Sequence, residues 1–175
     1  MKSGLTLLAA LLLVPVFTMG GPNEEWRTTA ASLGELTGVY VVVRYEAPSE
    51  AHYGLTEADL RSAVELRLKA NDIRVLTEKE WEKTRRRPYL YLTVTGTKLT
   101  SNTKDPDFLF AWSLDLIQRV KVMDAPATEG KAITWTQEYS AVLPQRDLRT
   151  IAVKVSDLTL EFANAMKAGQ KGVAG

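Results

Sequence analysis

Two hydrophobic periods alternate along this chain, and their order predicts its elements. From Thr37, the residues Val39, Val41, Val43 and Tyr45 alternate with Tyr40, Val42, Arg44 and Glu46. A period of two with β-branched side chains predicts a strand, and two apolar faces place it in the middle of a sheet. Ala47-Pro48-Ser49-Glu50 and Gly54 break it. Leu60, Val64 and Leu68 then recur every four residues, with Arg61, Glu65, Arg67 and Lys69 outside. Thr56 and Asp59 stand at capping-box spacing before that stripe, flanked by Leu55 and Leu60, and Asn71 suits a left-handed end. Ile73–Leu76 reads as a short second strand. A second capping box, Thr77 with Glu80, opens a short helix over 78–84, with Leu76 and Trp81 as its hydrophobic staple.

Pro88 resets the backbone before a strand over Tyr89–Leu99, in which Leu90, Leu92 and Val94 share one face. Ser101–Asp107 reads as a polar turn. Phe108, Phe110, Trp112, Leu114, Leu116, Val120 and Val122 then hold even-numbered alternation, interrupted only by Gln118. Ser113, Asp115, Arg119 and Lys121 take the reverse side, and one apolar face with one wet face marks an antiparallel sheet. Asp124–Gly130 is the expected next turn, after which Ile133, Trp135, Tyr139 and Ala141 continue one row. Leu148, Ile151, Val155, Leu158, Phe162 and Met166 step by three and four, which predicts a helix from Asp147 to Lys167 that Gly169 ends. Period two assigns Phe108, Phe110 and Trp112 to the core, together with Trp135.

The order β-α-β, minor helix, three β, α predicts an α+β fold. It is a two-layer sandwich with a mostly antiparallel sheet of four to five strands and two long helices on one face. Its first helix is a crossover between parallel strands. The expected organisation is a signal peptide (1–20), an irregular lead-in (21–36), a single domain (37–168) and a frayed tail (169–175).

Several segments carry a resemblance. They are Gly54-Leu55-Thr56-Glu57 through Val64-Glu65-Leu66-Arg67-Leu68, Ile73-Arg74-Val75-Leu76, and Pro88-Tyr89-Leu90-Tyr91-Leu92. Trp135 and the stretch from Leu148-Arg149 to Glu161-Phe162-Ala163-Asn164 complete the set. Over roughly residues 37–166 the chain resembles a group of exported, uncharacterised bacterial proteins with this order of elements. It departs from them at Asn164-Ala165-Met166-Lys167, where the group ends rich in aromatics. The group has no assigned activity, so the resemblance implies export and fold and transfers no site. In element order the chain is also similar to small α/β domains of envelope-complex accessory proteins, a likeness of fold that does not set function.

The amino terminus carries its own signal. Lys2 precedes an apolar run from Leu5 to Phe17, and Thr18-Met19-Gly20 follows. That is the layout of a secretory signal peptide, and the run is shorter than the roughly 20 residues a membrane span needs. Cleavage leaves about 155 residues, enough to bury a core without metal or disulfide, and no stable membrane span. The 175-residue chain has no cysteine, which excludes disulfides and the acceptor of a lipoprotein anchor. A bacterial periplasmic or extracellular address follows.

Charge narrows the chemistry further. Lys and Arg number 22 against 21 Asp and Glu, and loss of Lys2 brings the formal charge from +1 to zero. Such balance argues against nucleic acid as a partner. Arg85-Arg86-Arg87 is too short for a polyanion tract and reads as a solvated loop. With His52 alone and no thiol, neither a zinc site nor a nucleophilic triad can be assembled from recognisable spacing. Asp105 and Asp107 around Pro106 are turn chemistry, since the rest of a calcium loop is missing. No catalytic residue, metal or cofactor is assigned.

What remains is the sheet face away from the helices. Tyr40, Arg44, Tyr91 and Arg119 project there, among Thr93, Thr95, Asp115, Lys121, Thr134, Thr136 and Glu138. A threonine-rich wet face is ordinary for an antiparallel sheet, yet tyrosine and arginine are the types enriched at binding hot spots. The reading is an exported, non-enzymatic envelope domain that binds or scaffolds an envelope protein or glycan. The alternatives are a hydrolase with a dispersed carboxylate site, or a binder of a small apolar ligand between helices and sheet. Mass spectrometry of the exported protein should show a mature chain lacking residues 1–20; retention of Met1 on exported protein contradicts the signal peptide.

Overall fold

A parallel strand pair requires a crossover, and the first half of the chain supplies one. The computed structural model describes residues 33–48, 55–99, 106–122 and 125–173. The expected signal peptide, most of the lead-in, His52 and the turn containing Asp105 lie outside these residues. Strand β1 (Tyr40–Glu46) leads into helix α1 (Glu57–Lys69), short helix α2 (Glu78–Lys83) and strand β2 (Tyr89–Lys98). Strands β3 (Asp107–Val122) and β4 (Ala125–Pro144) follow, then a 3-10 turn at Gln145–Asp147 and helix α3 (Thr150–Val173). The architecture is α+β, a four-stranded mixed sheet in the order β1-β2-β3-β4 with α1 and α3 packed on one face. β1 is parallel to β2, with Val41 opposite Leu90; the other two pairings are antiparallel.

Both capping boxes form. The Asp59 amide donates to Thr56 Oγ1 at 3.2 Å, and the Thr56 amide donates to Asp59 Oδ2 at 2.9 Å. Thr77 and Glu80 make the same reciprocal pair at the start of α2. Each box satisfies two amides that a helix start otherwise leaves without partners. α1 ends through Ala70, and the left-handed residue is Asp72, with φ 62°, rather than Asn71. Asn71 instead turns its side-chain amide onto the Arg67 carbonyl at 2.9 Å.

The core is the layer between sheet and long helices. Leu60, Val64 and Leu68 of α1 and Leu148, Ile151, Val155, Leu158, Phe162 and Met166 around α3 are all buried. They meet Val41, Val43, Leu90, Leu92, Val94, Phe108, Phe110, Trp112, Leu114 and Leu116. Trp135 is half-buried at the margin, its ring edge-on to Phe162 with centroids 5.2 Å apart. Polar contacts tie the two helices together: Arg67 Nε donates to Ser156 Oγ at 2.8 Å, and Lys167 Nζ to Asn71 Oδ1 at 3.1 Å.

Several expectations change for physical reasons. β1 lies at the edge of the sheet, not in its middle. Its two apolar faces arise because α1 covers one and the Trp81 side chain of α2 meets Tyr40 on the other. Residues 73–76 form no strand, only a single parallel bridge from Val75 to Val39, because the Thr77 cap begins a helix at once. Residues 125–130 belong to β4 rather than to a turn. Pro126 is tolerated there because β4 is an edge strand whose outer amides need no partner, and Gly130 stands where a Cβ would meet nothing within 4 Å.

A register shift opposite Leu116 and Ile117 leaves Thr134 as an extra residue on β4. Trp135 therefore stays on the core side while Ile133 turns out, 58% exposed. Helix α3 runs through Gly169 to Val173 instead of stopping. The backbone of α3 there sets the approach of the preceding segment: a Cβ on Gly34 would lie 2.5 Å from the Gly169 carbonyl oxygen, so position 34 must stay glycine for this contact.

Phe162, fully buried at the centre of α3, reports on this layer. Phe162→Ala should destabilise the protein by about 3–5 kcal/mol in denaturant titration, since it empties a large aromatic from the core. A loss under ~1 kcal/mol would mean that the stripe does not carry the helix–sheet packing.

Candidate functional site

The face turned away from α1 and α3 is built on side chains that alternate with the core row. On β1 these are Tyr40, Val42 and Arg44; on β2 they are Tyr89, Tyr91 and Thr93. Ile117 stands opposite Tyr89 on β3, and Asp115 opposite Tyr91. Asp115 Oδ1 accepts a hydrogen bond from Thr136 Oγ1 of β4 at 2.6 Å. Its polar row is thus partly bonded to itself.

One end of the face is covered. Helix α2 buries no residue fully, yet it lays Trp81 across the sheet. The Trp81 ring lies 5.6 Å from Tyr40 and 6.1 Å, edge-on, from Tyr89; Tyr89 is in turn edge-on to Tyr91 at 6.5 Å. Cations flank the row: the Arg87 guanidinium lies 5.8 Å from the Trp81 ring, and Lys131 Nζ lies 5.6 Å from the Tyr89 ring. Offset and edge-on aromatic pairs each add roughly 0.5–1.5 kcal/mol beyond burial, and cation–π contacts at exposed sites add roughly 0.5–1. These contacts hold α2 to the sheet.

The four residues singled out from the sequence separate into two places. Arg44 sits at the far end of β1, bonded to Glu46 Oε1 through Nε at 2.8 Å. Its guanidinium pKa is raised by the Glu46 hydrogen bond first and by a bond to Tyr91 second. Arg44 and Tyr91 therefore form one group. Tyr40 lies against Trp81, half-buried rather than presented to solvent. Arg119 stands near Trp81 and Tyr89, where its backbone amide donates to the Arg86 carbonyl at 2.8 Å.

Two adjoining clefts open beside Arg119. The larger, of about 370 Å³, is lined by Arg85, Arg86, Gln118, Arg119, Val120, Lys121, Glu129 and Thr134. The smaller, of about 130 Å³, is lined by Trp81, Arg87, Tyr89, Gln118, Arg119 and Lys131. Sequence reasoning missed Trp81, Tyr89, Gln118 and Lys131 as members of this region. Gln118 carried a signal, as the one polar member of the apolar row on β3. Trp81 carried none, because its staple position says nothing of where the helix lands.

A third cleft, of about 380 Å³, lies between β4 and α3 and contains Trp112, Tyr139, Lys154, Asp157 and Glu161. Its carboxylates are engaged. Tyr139 Oη donates to Glu161 at 3.1 Å, which raises the tyrosine pKa, and Asp157 faces Arg67 at 3.9 Å. Among the described residues no three acidic or histidine side chains gather where they could hold a metal ion, and no helix is long and apolar enough to cross a membrane.

No family model matches the chain, and no curated protein matches it. Among solved structures it is similar to the minor lipoprotein of Acinetobacter baumannii, at 12% identity over 77% of this chain and 97% of that one, with a TM-score of 0.36. It is also similar to PelC of Paraburkholderia phytofirmans, solved as a dodecamer, at 15% identity over 71% and 87%, TM-score 0.39. Rare lipoprotein B of Shewanella oneidensis aligns at 11% identity over 77% and 96%, TM-score 0.31. At these identities and TM-scores the likeness assigns no residue a role.

The α2 lid has a pH signature. Hydrogen bonds from the Thr77 amide and hydroxyl, and the nearby Arg74, lower the Glu80 pKa below its usual value. A carboxylate with a depressed folded pKa contributes stability above its unfolded pKa and loses it as pH falls through the folded one. Amide exchange should therefore show α2 losing protection in acid before the sheet does, and Glu80→Gln should remove that pH dependence. Equal protection of α2 across the carboxylate range in the native chain would contradict the coupling.

Proposed function

We propose that this chain is an exported, non-enzymatic cell-envelope domain that binds another envelope component, protein or glycan, through the sheet face opposite α1 and α3. Its compartment in this reading is the periplasm or the exterior of a bacterium, reached by loss of residues 1–20. The observation that supports it is the continuous row Tyr40–Trp81–Tyr89–Tyr91 with Arg44, Arg87, Arg119 and Lys131 along its margins. A sheet face that needed only to be wetted would be served by threonine and charge. Tyrosine, tryptophan and arginine bring large contact area with few rotatable bonds, and they dominate measured interface energetics.

The double variant Tyr91→Ala/Arg119→Ala tests this reading. Each residue has one face to solvent, so folding should change by only about 0.5 kcal/mol per site. In crosslinking within intact cells, recovery of the bound component should fall by well over tenfold, as for truncated hot-spot residues. Unchanged recovery with unchanged stability would return the face to plain solvated sheet.

A further inference from the structure

The cleft beside Arg119 contains a group that the fold leaves incomplete. Gln118 is 2% exposed and ends the buried row that runs from Phe108 through Leu116. Its Nε2 donates to Thr134 Oγ1, the bulged residue of β4, at 2.7 Å, while its Oε1 is buried with no hydrogen-bond partner. The Thr134 hydroxyl proton is directed at the Leu116 carbonyl, 3.4 Å away, so the hydroxyl accepts from the amide and the open group is the acceptor Oε1. The indole Nε1 of Trp81, in the adjoining recess, is likewise buried and unpartnered. Burying a polar atom without a partner is unfavourable, and leucine at position 118 would carry no such cost. Gln118 lines both clefts and Trp81 lines the smaller one, so the two buried, unpartnered atoms belong to side chains in one cleft wall.

The lining adds positive charge. Arg86 is engaged with Glu35, but among the described residues the side chains of Arg85, Arg119 and Lys121 form no ion pair, and Glu129 is the one acidic residue in the cleft wall. Since the whole chain is near neutral, this is a local field rather than a general basic surface. An anion with no proton to donate would use the cations and leave Gln118 Oε1 unmet. A neutral polyol would meet the amide and the indole and leave the cations idle. An anion that carries its own hydrogen-bond donors, as a sugar acid does in its ring hydroxyls, uses all of them. The volume of about 370 Å³ lies in the range of small-ligand pockets, roughly 300–1,000 Å³, and is too confined for a protein surface.

We propose that this cleft is a binding subsite for an acidic sugar unit, a sugar carboxylate or sugar phosphate, free or as the exposed residue of a glycan. The inference rests on the reading of this face as a binding surface and names the chemistry it recognises. The anionic group pairs with Arg119, Arg85 and Lys121, a ring hydroxyl donates to Gln118 Oε1, and Trp81 Nε1 donates to a sugar oxygen.

Calorimetric titration of the exported mature chain tests it, with galacturonate and glucose 6-phosphate as probes and glucose and inorganic phosphate as controls. Either acidic sugar should bind at least about tenfold more tightly than both controls, the margin expected when a charged hydrogen bond is added. Gln118→Leu should weaken that binding about tenfold while leaving thermal stability equal or higher, and the exposed Arg85→Ala and Arg119→Ala should weaken it without loss of fold. If Gln118→Leu does not fold, the two arginine variants carry the test alone. Polygalacturonate binding more tightly per site than galacturonate assigns a glycan chain; equal binding assigns the free sugar acid. Phosphate binding as tightly as glucose 6-phosphate, or a single-stranded oligodeoxynucleotide outcompeting every sugar, overturns the proposal. If no probe binds while crosslinking in cells still depends on Tyr91 and Arg119, the ligand class falls and the binding face stands. Loss of both results removes both.

Discussion

Both long helices of this protein are placed by the need to cover one apolar face of a four-stranded sheet. Leu90, Leu92 and Val94 on β2 and the Phe108–Leu116 row on β3 present that face as a continuous patch. At about 25 cal/mol per Å² of apolar area removed from water, it is the dominant favourable contribution available to the chain. The shorter of the two helices, α1, is not stable by propensity alone. α1 has 13 residues, a length at which isolated helices are marginal in water. Both form because their stripes complete the sheet, and the Arg67–Ser156 and Lys167–Asn71 hydrogen bonds set how they lie against each other.

Covering one face with both long helices leaves the other to α2. Six residues cannot bury a stripe, so α2 attaches through one large ring, Trp81, wedged against Tyr40 and Tyr89. The capping box at Thr77 fixes where the helix starts, and that start determines where the ring lands. The aromatic row is thus at once the attachment of α2 and the surface the sheet presents. The clefts open at its margin, where the Arg85–Pro88 segment runs beside the end of β3.

The two sheet edges are handled differently. β1 meets only a one-residue bridge from Val75, and the chain turns away immediately into α2. β4 runs for 20 residues as an outer strand. Its bulge at Thr134, with Pro126, Lys131 and Pro144 along it, makes it a poor template for another strand, which offsets the exposure of Ile133, Tyr139 and Val142. The same bulge brings Thr134 to Gln118, so a device that protects an edge also shapes the larger cleft.

Local signals were legible in the sequence because they act over a few residues. Both capping boxes, the stripes of α1 and α3, and the alternation of β2 and β3 depend on spacing alone, and each stands where its period put it. Alternation likewise identified Tyr40, Arg44, Tyr91 and Arg119 as a set pointing away from the core. What spacing could not carry was whatever depends on a partner distant in the chain. The covering of the second face of edge strand β1, the bulge that turned Ile133 outward and the close approach at Gly34 each involve a neighbour brought in by folding: Trp81, the β3 register and the backbone of α3 at Gly169. The site divides on the same line. That Arg119 points outward is a property of β3, but that it shares a cleft with Trp81 and a buried, unpartnered Gln118 exists only once α2 and β4 have packed, because burial and proximity belong to the assembled layers and not to any one segment.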